Sequence, residues 1–242
     1  MAPTVLFLYN DPIAPEAMLG EAFTDAGYDV STFEVVPASH VGRPALDVDF
    51  PDPTAYDVIV PLGARWSVYD DALRSTWVGA QTRMLLAAAQ SGVPTLGICF
   101  GGQLLAQAFG GSVQRSGTPE IGWYDVESDR HELIPPGPWF EWHFDRWTVP
   151  PGATEIARTP VASQAFAIGR AVALQFHPEL DPALLELWLE DDLEAEEAAM
   201  VGRSHDELRS ATGELRDDAA RRIRQLVRGF LAYTSRQPCP SS

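Results

Sequence analysis

A chain of 242 residues with 45% apolar and 21% charged residues can bury a sizeable core and has an ordinary globular composition. Its net charge of −17 removes the basic face that a phosphate backbone needs, so no nucleic-acid partner is expected. All 17 basic residues are Arg, which excludes a Schiff-base or phosphate-loop lysine. The start reads as no targeting leader and no run is apolar enough to span a bilayer, so no membrane association is expected either.

Thr4 to Tyr9 is a short apolar run and reads as a first strand. Ala14 to Ala26 has helical spacing through Ala14, Ala17, Met18 and Ala22, and Gly27 suits the cap that ends it. Tyr28 to Val35 alternates as a second strand. Val36 to Thr54, rich in Pro, Asp and Gly, reads as a long loop before a third strand over Tyr56 to Val60. Strand, helix, strand in this order predicts an α/β fold with a parallel sheet. A helix is expected from about Thr76, its candidate cap, to Gln90, with Ser91-Gly92 ending it. Val93 to Ile98 is a buried strand, and Leu104 to Phe109 a short helix.

Beyond Gly110-Gly111 the pattern changes. The segments Gly122–Glu127, Trp139–Trp147, Thr154–Arg158, Gln164–Ile168 and Ala171–Phe176 are short and strand-like, and are expected to complete the sheet in mixed or antiparallel fashion. Trp139, Phe140, Trp142, Phe144 and Trp147 read as packing residues. Asp181-Pro182 opens a helix, with Asp as cap and Pro in the first turn. Glu190 to Asp218 is strongly acidic and reads as a solvated helical face. Leu215, Ala219, Arg222, Leu226 and Phe230 mark a final amphipathic helix. The expected organisation is one domain over residues 1–242, an α/β body at 1–180 and a helical extension at 181–242.

The chemistry concentrates in Gly97-Ile98-Cys99-Phe100-Gly101-Gly102-Gln103. A cysteine between glycines, where a strand turns into a helix, is the arrangement of a nucleophile elbow. The helix start directs N–H groups at the sulfur and favours the thiolate. Only one other cysteine exists, Cys239 in a polar tail, so no disulfide framework is expected and a reducing cytoplasm fits. The second stretch is Gln175-Phe176-His177-Pro178-Glu179. His177 has the chemistry to take and return a thiol proton, and Glu179 to orient its ring. Each piece alone is weak: a cysteine on a buried strand is often plain core, and a histidine near an acid often a surface pair.

Together they are specific. Gly-Ile-Cys-Phe-Gly-Gly-Gln at 97–103, Ala106-x-x-x-Gly110-Gly111, and Gln-Phe-His-Pro-Glu at 175–179 resemble the class I glutamine amidotransferases. Ile121-Gly122-Trp123 and Trp142-His143-Phe144-Asp145 add a likeness to stand-alone domains similar to the amidotransferase part of GMP synthase. The resemblance runs roughly from Tyr56 to Glu179. It implies a three-layer, flavodoxin-like fold, with a mixed but largely parallel sheet and helices on both faces. It also implies a Cys99–His177–Glu179 triad that hydrolyses the side-chain amide of L-glutamine through a glutamyl thioester, with no cofactor and no metal. The oxyanion donors are then the backbone N–H of Phe100 and one from the loop at Gly63 and Ala64. Gln103, Gly101, His143 and Asp145 are candidates for the substrate's amino-acid end.

One segment departs from the family pattern. Where Gly-Gly-Pro is common, this chain has Gly63-Ala64-Arg65. If the donor position needs a positive φ, Ala64 is strained there. Arg65 is then either a solvated loop arginine or a reader of an anionic group. The two His-x-acid pairs, 143/145 and 177/179, also match the donor types of a metal site, but a triad already accounts for the second. No phosphate loop and no Ser-Gly-Gly-x-Asp-Ser run occur, so the ammonia is expected to reach a separate acceptor synthase. Two other readings remain open on sequence: a γ-glutamyl peptide hydrolase using the same triad, and a regulatory module in which the triad is vestigial.

Overall fold

In a computed structural model, residues 1–191 and 201–238 are described. Five strands run parallel in the order β2 (Asp29–Glu34), β1 (Thr4–Tyr9), β3 (Val58–Pro61), β4 (Thr95–Ile98) and β10 (Ala171–Leu174). Beyond β10 the sheet continues antiparallel through β9 (Ser163–Ile168), β8 (Thr154–Arg158) and β6 (Glu127–Ser128).

Strand alternation gives each face its own core. Val5, Phe7, Val58, Val60, Val172 and Leu174 face one side, where α1 (Ala17–Asp25) brings Leu19 and Phe23, and α6 (His205–Arg236) brings Ile223, Leu226 and Phe230. Leu6, Leu8 and Ile59 face the other, against Trp77 and Leu85 of α3 (Trp77–Gln90) and Phe100 and Leu104 of α4 (Phe100–Ala108). A short α2 (Asp71–Arg74) precedes α3, and α5 (Pro182–Leu189) follows β10. The three layers are those expected from sequence.

Three sequence-based expectations change. The helix read from Leu104 starts at Phe100, directly after Cys99. Its glycines are there for closeness: a Cβ on Gly101 would lie 2.0 Å from the Pro61 carbonyl oxygen, and one on Gly97 2.6 Å from the Gly101 carbonyl oxygen. The final helix extends back to His205, because Ser204 and Glu207 form a reciprocal capping box that sequence reading passed over. The segments around 122–127 and 139–147 do not both complete the sheet. Instead β5 (Val113–Asp125) and β7 (Pro138–Trp147) pair into a separate antiparallel ribbon. The reason lies in β7, where Phe140, Trp142 and Phe144 make one face aromatic and the other sets Trp139 and Trp147 at either end of Glu141, His143 and Asp145. Trp139 stacks on Phe176 at 4.7 Å, while Phe140 and Trp142 pack on Trp188 of α5. A ribbon clad on both sides has no place in the open sheet.

The predicted acidic face at 190–218 falls partly outside the described residues, as does Cys239. Among the described residues no helix is long and apolar enough to cross a membrane.

Candidate active site

The parallel strands end at one edge, where open α/β sheets collect ligands. A cleft partly open to solvent lies there. It is lined by residues that follow β1 (Asp11), β3 (Gly63 to Ser67), β4 (Cys99) and β10 (His177), and by Trp142 to Asp145 of β7.

Cys99 caps α4 with φ 48° and ψ −105°. A non-glycine residue in that region is strained, and such strain gathers at working sites. The strain is held by neighbours: Cys99 N–H donates to the Leu174 carbonyl at 2.7 Å, carrying the β4–β10 pairing onto the elbow. Phe100 N–H is the first of α4 and has no acceptor within the helix. The thiol donates to the Trp142 carbonyl at 3.9 Å and receives the Gln175 side-chain amide at 3.5 Å.

Because β10 runs parallel to β4 in register, residues 175–177 arrive beside Cys99. His177 N–H donates to the Phe140 carbonyl, which fixes its backbone to the ribbon. Its Nδ1 lies 2.7 Å from Glu179 Oε1, and its Nε2 has no hydrogen-bond partner among the described residues. The Trp188 ring stands edge-on at 4.9 Å. Burial alone pushes His177 down, but the charges of Glu179 and Cys99 outweigh it and hold the imidazole well above its ordinary value.

Gly63 closes the opposite side. A Cβ there would sit 3.1 Å from His177 Cε1 and 3.8 Å from Cys99 Cβ, so only glycine leaves the gap open. The sequence-based concern over Ala64 does not hold: among the described residues the only positive φ values outside glycine are those of Ala17 and Cys99. Arg65 is neither solvated nor free to read an anion. Its Nε lies 2.7 Å from Asp11 Oδ2 and its Nη1 2.9 Å from Asp191 Oδ2, and its backbone N–H also donates to Asp11. A proline at 65 has no N–H with which to make that last bond. Buried Asn10 adds a bond to the Leu62 carbonyl at 2.8 Å.

The other expected residues divide. Gln103 lines the cleft and reaches Gln175 Oε1 at 3.4 Å. Asp145 lines it too, accepting from Ser67 Oγ at 2.7 Å and Tyr69 OH at 2.9 Å. Gly101 does not line the cleft; it is a packing glycine against Pro61. His143 lines the cleft but is tied behind it, with Nε2 3.2 Å from Glu120 Oε2 and 3.4 Å from Glu141 Oε2. Of the aromatic residues read as packing, Trp142 and Phe144 also wall the cleft. Asp11 and Arg115 line it without having been singled out, and Trp188, which the sequence suggests as a packing residue of its helix, lines it too; all three lie outside both motifs.

A family model described as glutamine amidotransferase class-I matches residues 69–192, a little over half of the chain and including Cys99, His177 and Glu179. The chain belongs to the class I glutamine amidotransferases. As an amidotransferase it is 45% identical over 104 residues to GMP synthase [glutamine-hydrolyzing] of Thermus thermophilus, covering 37% of this chain and 20% of that one. The corresponding enzyme of Aeropyrum pernix is 37% identical over 115 residues, 44% of this chain and 22% of that one. The chain thus spans about a fifth of the curated relatives it matches. In fold it is similar to a glutamine amidotransferase of Thermotoga maritima, with TM-score 0.80 and 22% identity over 98% of this chain and 100% of that one. It is also similar to one from Methylobacillus flagellatus, with TM-score 0.81 and 21% identity over 96% and 95%. The loop at Gly63 to Arg65 lies before the matched family segment.

Proposed function

We propose that this amidotransferase hydrolyses the side-chain amide of L-glutamine at Cys99 and hands the ammonia to a separate acceptor synthase. The observation that carries the reading is the unbonded Nε2 of His177, held on its far side by Glu179 and electrostatically coupled to a strained Cys99.

The Cys99 thiolate attacks the amide carbon, and the C=O π pair moves to oxygen. Phe100 N–H and an N–H of Gly63 or Ala64 receive that oxyanion; one such donor is worth about 100- to 1000-fold in rate. The oxyanion collapses, the C–N bond breaks, and the His177 imidazolium gives its Nε2 proton to the leaving ammonia. A glutamyl thioester remains. Water then attacks it, losing a proton to His177, and collapse releases glutamate and restores the thiolate. Glu179 holds the ring in the Nδ1–H tautomer through both steps and balances its charge. Gln103 and Asp145 contact the amino-acid end, Asp145 receiving the α-ammonium. His143 braces that wall from behind. No metal or cofactor takes part in the scheme. Residues 181–242 are read as a helical extension of the same domain, supported by Phe230 packing on Phe23 at 6.5 Å.

The test is ammonia release from L-glutamine, together with intact mass after an electrophilic glutamine analogue. A glutamyl-sized adduct on Cys99 that Cys99→Ala abolishes supports the scheme. Faster turnover of γ-glutamyl dipeptides moves the same chemistry to another leaving amine. No adduct and no ammonia, with a candidate synthase present, leaves the triad a relic.

A further inference from the structure

The cleft holds two arginines in opposite circumstances. Arg65 has spent its guanidinium on Asp11 and Asp191. The Arg115 guanidinium makes no hydrogen bond or ion pair among the described residues, and lies over the Phe144 ring with Cζ 4.9 Å from its centroid.

The ribbon register makes this unusual. Arg115 pairs directly with Asp145 across β5 and β7. Residues opposite one another in an antiparallel pair share a face, about 5 Å apart at Cβ, and opposite charges there normally close. Here the aspartate is occupied, since Ser67 and Tyr69 each donate to one of its oxygens. The ladder breaks immediately after Arg115, resuming at Glu120, which re-aims the strand at this point. A cation and an anion therefore line the cleft side by side without neutralising each other. That is the complement of a zwitterion. The arginine supplies a planar fork matched to a carboxylate, and the aromatic ring beneath it reduces the freedom it must lose on binding.

We propose that Arg115 binds the α-carboxylate of the substrate and selects α-amino-acid amides over amides that lack this group. The proposal rests on the glutaminase reading and extends it to the substrate's far end, with Asp145 as the partner of the α-ammonium.

The experiment compares Arg115→Gln and Arg115→Lys with the wild-type chain on L-glutamine and on L-glutamine α-methyl ester. Losing a charge-assisted pair should raise KM for glutamine roughly 10- to 100-fold. The kcat should move little, and the lysine variant should fall between. The methyl ester should bind wild type and Arg115→Gln alike. An unchanged KM for glutamine overturns the assignment, and so does an equal rise for both substrates, which would signal general disturbance of the ribbon. If the wild-type chain turns over no glutamine, the glutaminase reading falls separately. Arg115 is then judged by L-glutamate binding in calorimetry: tighter binding to wild type than to Arg115→Gln keeps the carboxylate site, and equal or absent binding removes it.

Discussion

Two buried histidines of this amidotransferase stand among carboxylates, and both read in sequence as His-x-acid. Both engage Nδ1, and they differ in what Nε2 faces. His177 gives Nδ1 to Glu179 and leaves Nε2 without a hydrogen bond on the side of Cys99. His143 has Nδ1 3.0 Å from the Asp145 carbonyl oxygen, an acceptor only, so that nitrogen carries the proton. Its Nε2 points at Glu120 and Glu141. Neither Nε2 makes a hydrogen bond among the described residues, but that of His143 is shut in against two buried carboxylates while that of His177 lies on the side of the nucleophile, so only the His177 nitrogen is available to a substrate. The type of residue is the same; the function follows from what surrounds the second nitrogen.

The sharpest way to break this contrast is to exchange both histidines for glutamine in turn. His177→Gln should lower kcat for ammonia release by about 10⁴-fold or more, as loss of a nucleophile's base does. His143→Gln should keep measurable turnover and lose thermal stability instead. A chain in which both variants lose activity equally, with unchanged melting, would make His143 a second catalytic group and erase the distinction.

Glu179→Gln tests the other nitrogen. General acid–base assistance is worth about 100- to 10,000-fold, and a share of that should go with the carboxylate. The pH profile should also move. Burial depresses His177 while Glu179 and Cys99 raise it, and the net is a rise. A charge partner shifts a neighbour by about 1–3 units, so without Glu179 the imidazolium is lost earlier and the basic limb of kcat/KM falls to lower pH. A limb that stays in place would mean that Cys99 alone holds the His177 charge.

The same contrast shows what sequence can carry. Cys99, His177 and Glu179 are legible because each lies in a short contiguous motif at a strand end, where local order fixes the geometry. The strands β1 and β8 were read to the residue, since apolar runs bounded by turns specify them. The surroundings are set by register between distant segments. Arg65 was misread because its partners, Asp11 and Asp191, are more than 50 and 120 positions away. Gly101 looked like a substrate contact because a glycine needed for close helix–strand packing and one needed by a ligand look the same in sequence. The β5–β7 ribbon was hidden because a largely buried strand such as β7 reads alike in a sheet and in a ribbon packed on both faces.

Glu141 supplies the smallest effect and the finest test of the brace. Gln164 Nε2 and Thr159 Oγ1 both donate to Glu120. Among the described residues neither oxygen of Glu141 has a hydrogen-bond donor, and the residue is fully buried. Burial first, and the charge of Glu120 second, hold its carboxyl well above the ordinary 4.5. In the folded chain Glu141 thus keeps its proton after the unfolded chain has lost it. Above about pH 4.5 and up to the raised folded value, the folded state binds more protons, so Glu141 lowers stability as pH rises. Glutamine keeps the neutral shape and does not titrate. Glu141→Gln should therefore melt close to wild type near pH 4.5 and progressively above it as pH rises. Each pH unit inside the window is worth about 1.4 kcal/mol, and each kcal/mol about 2–4 °C in a chain of this size. A difference that is flat with pH, or a variant less stable at pH 8, would mean that Glu141 is ionised against a protonated His143. The brace would then be an ion pair rather than a stored proton.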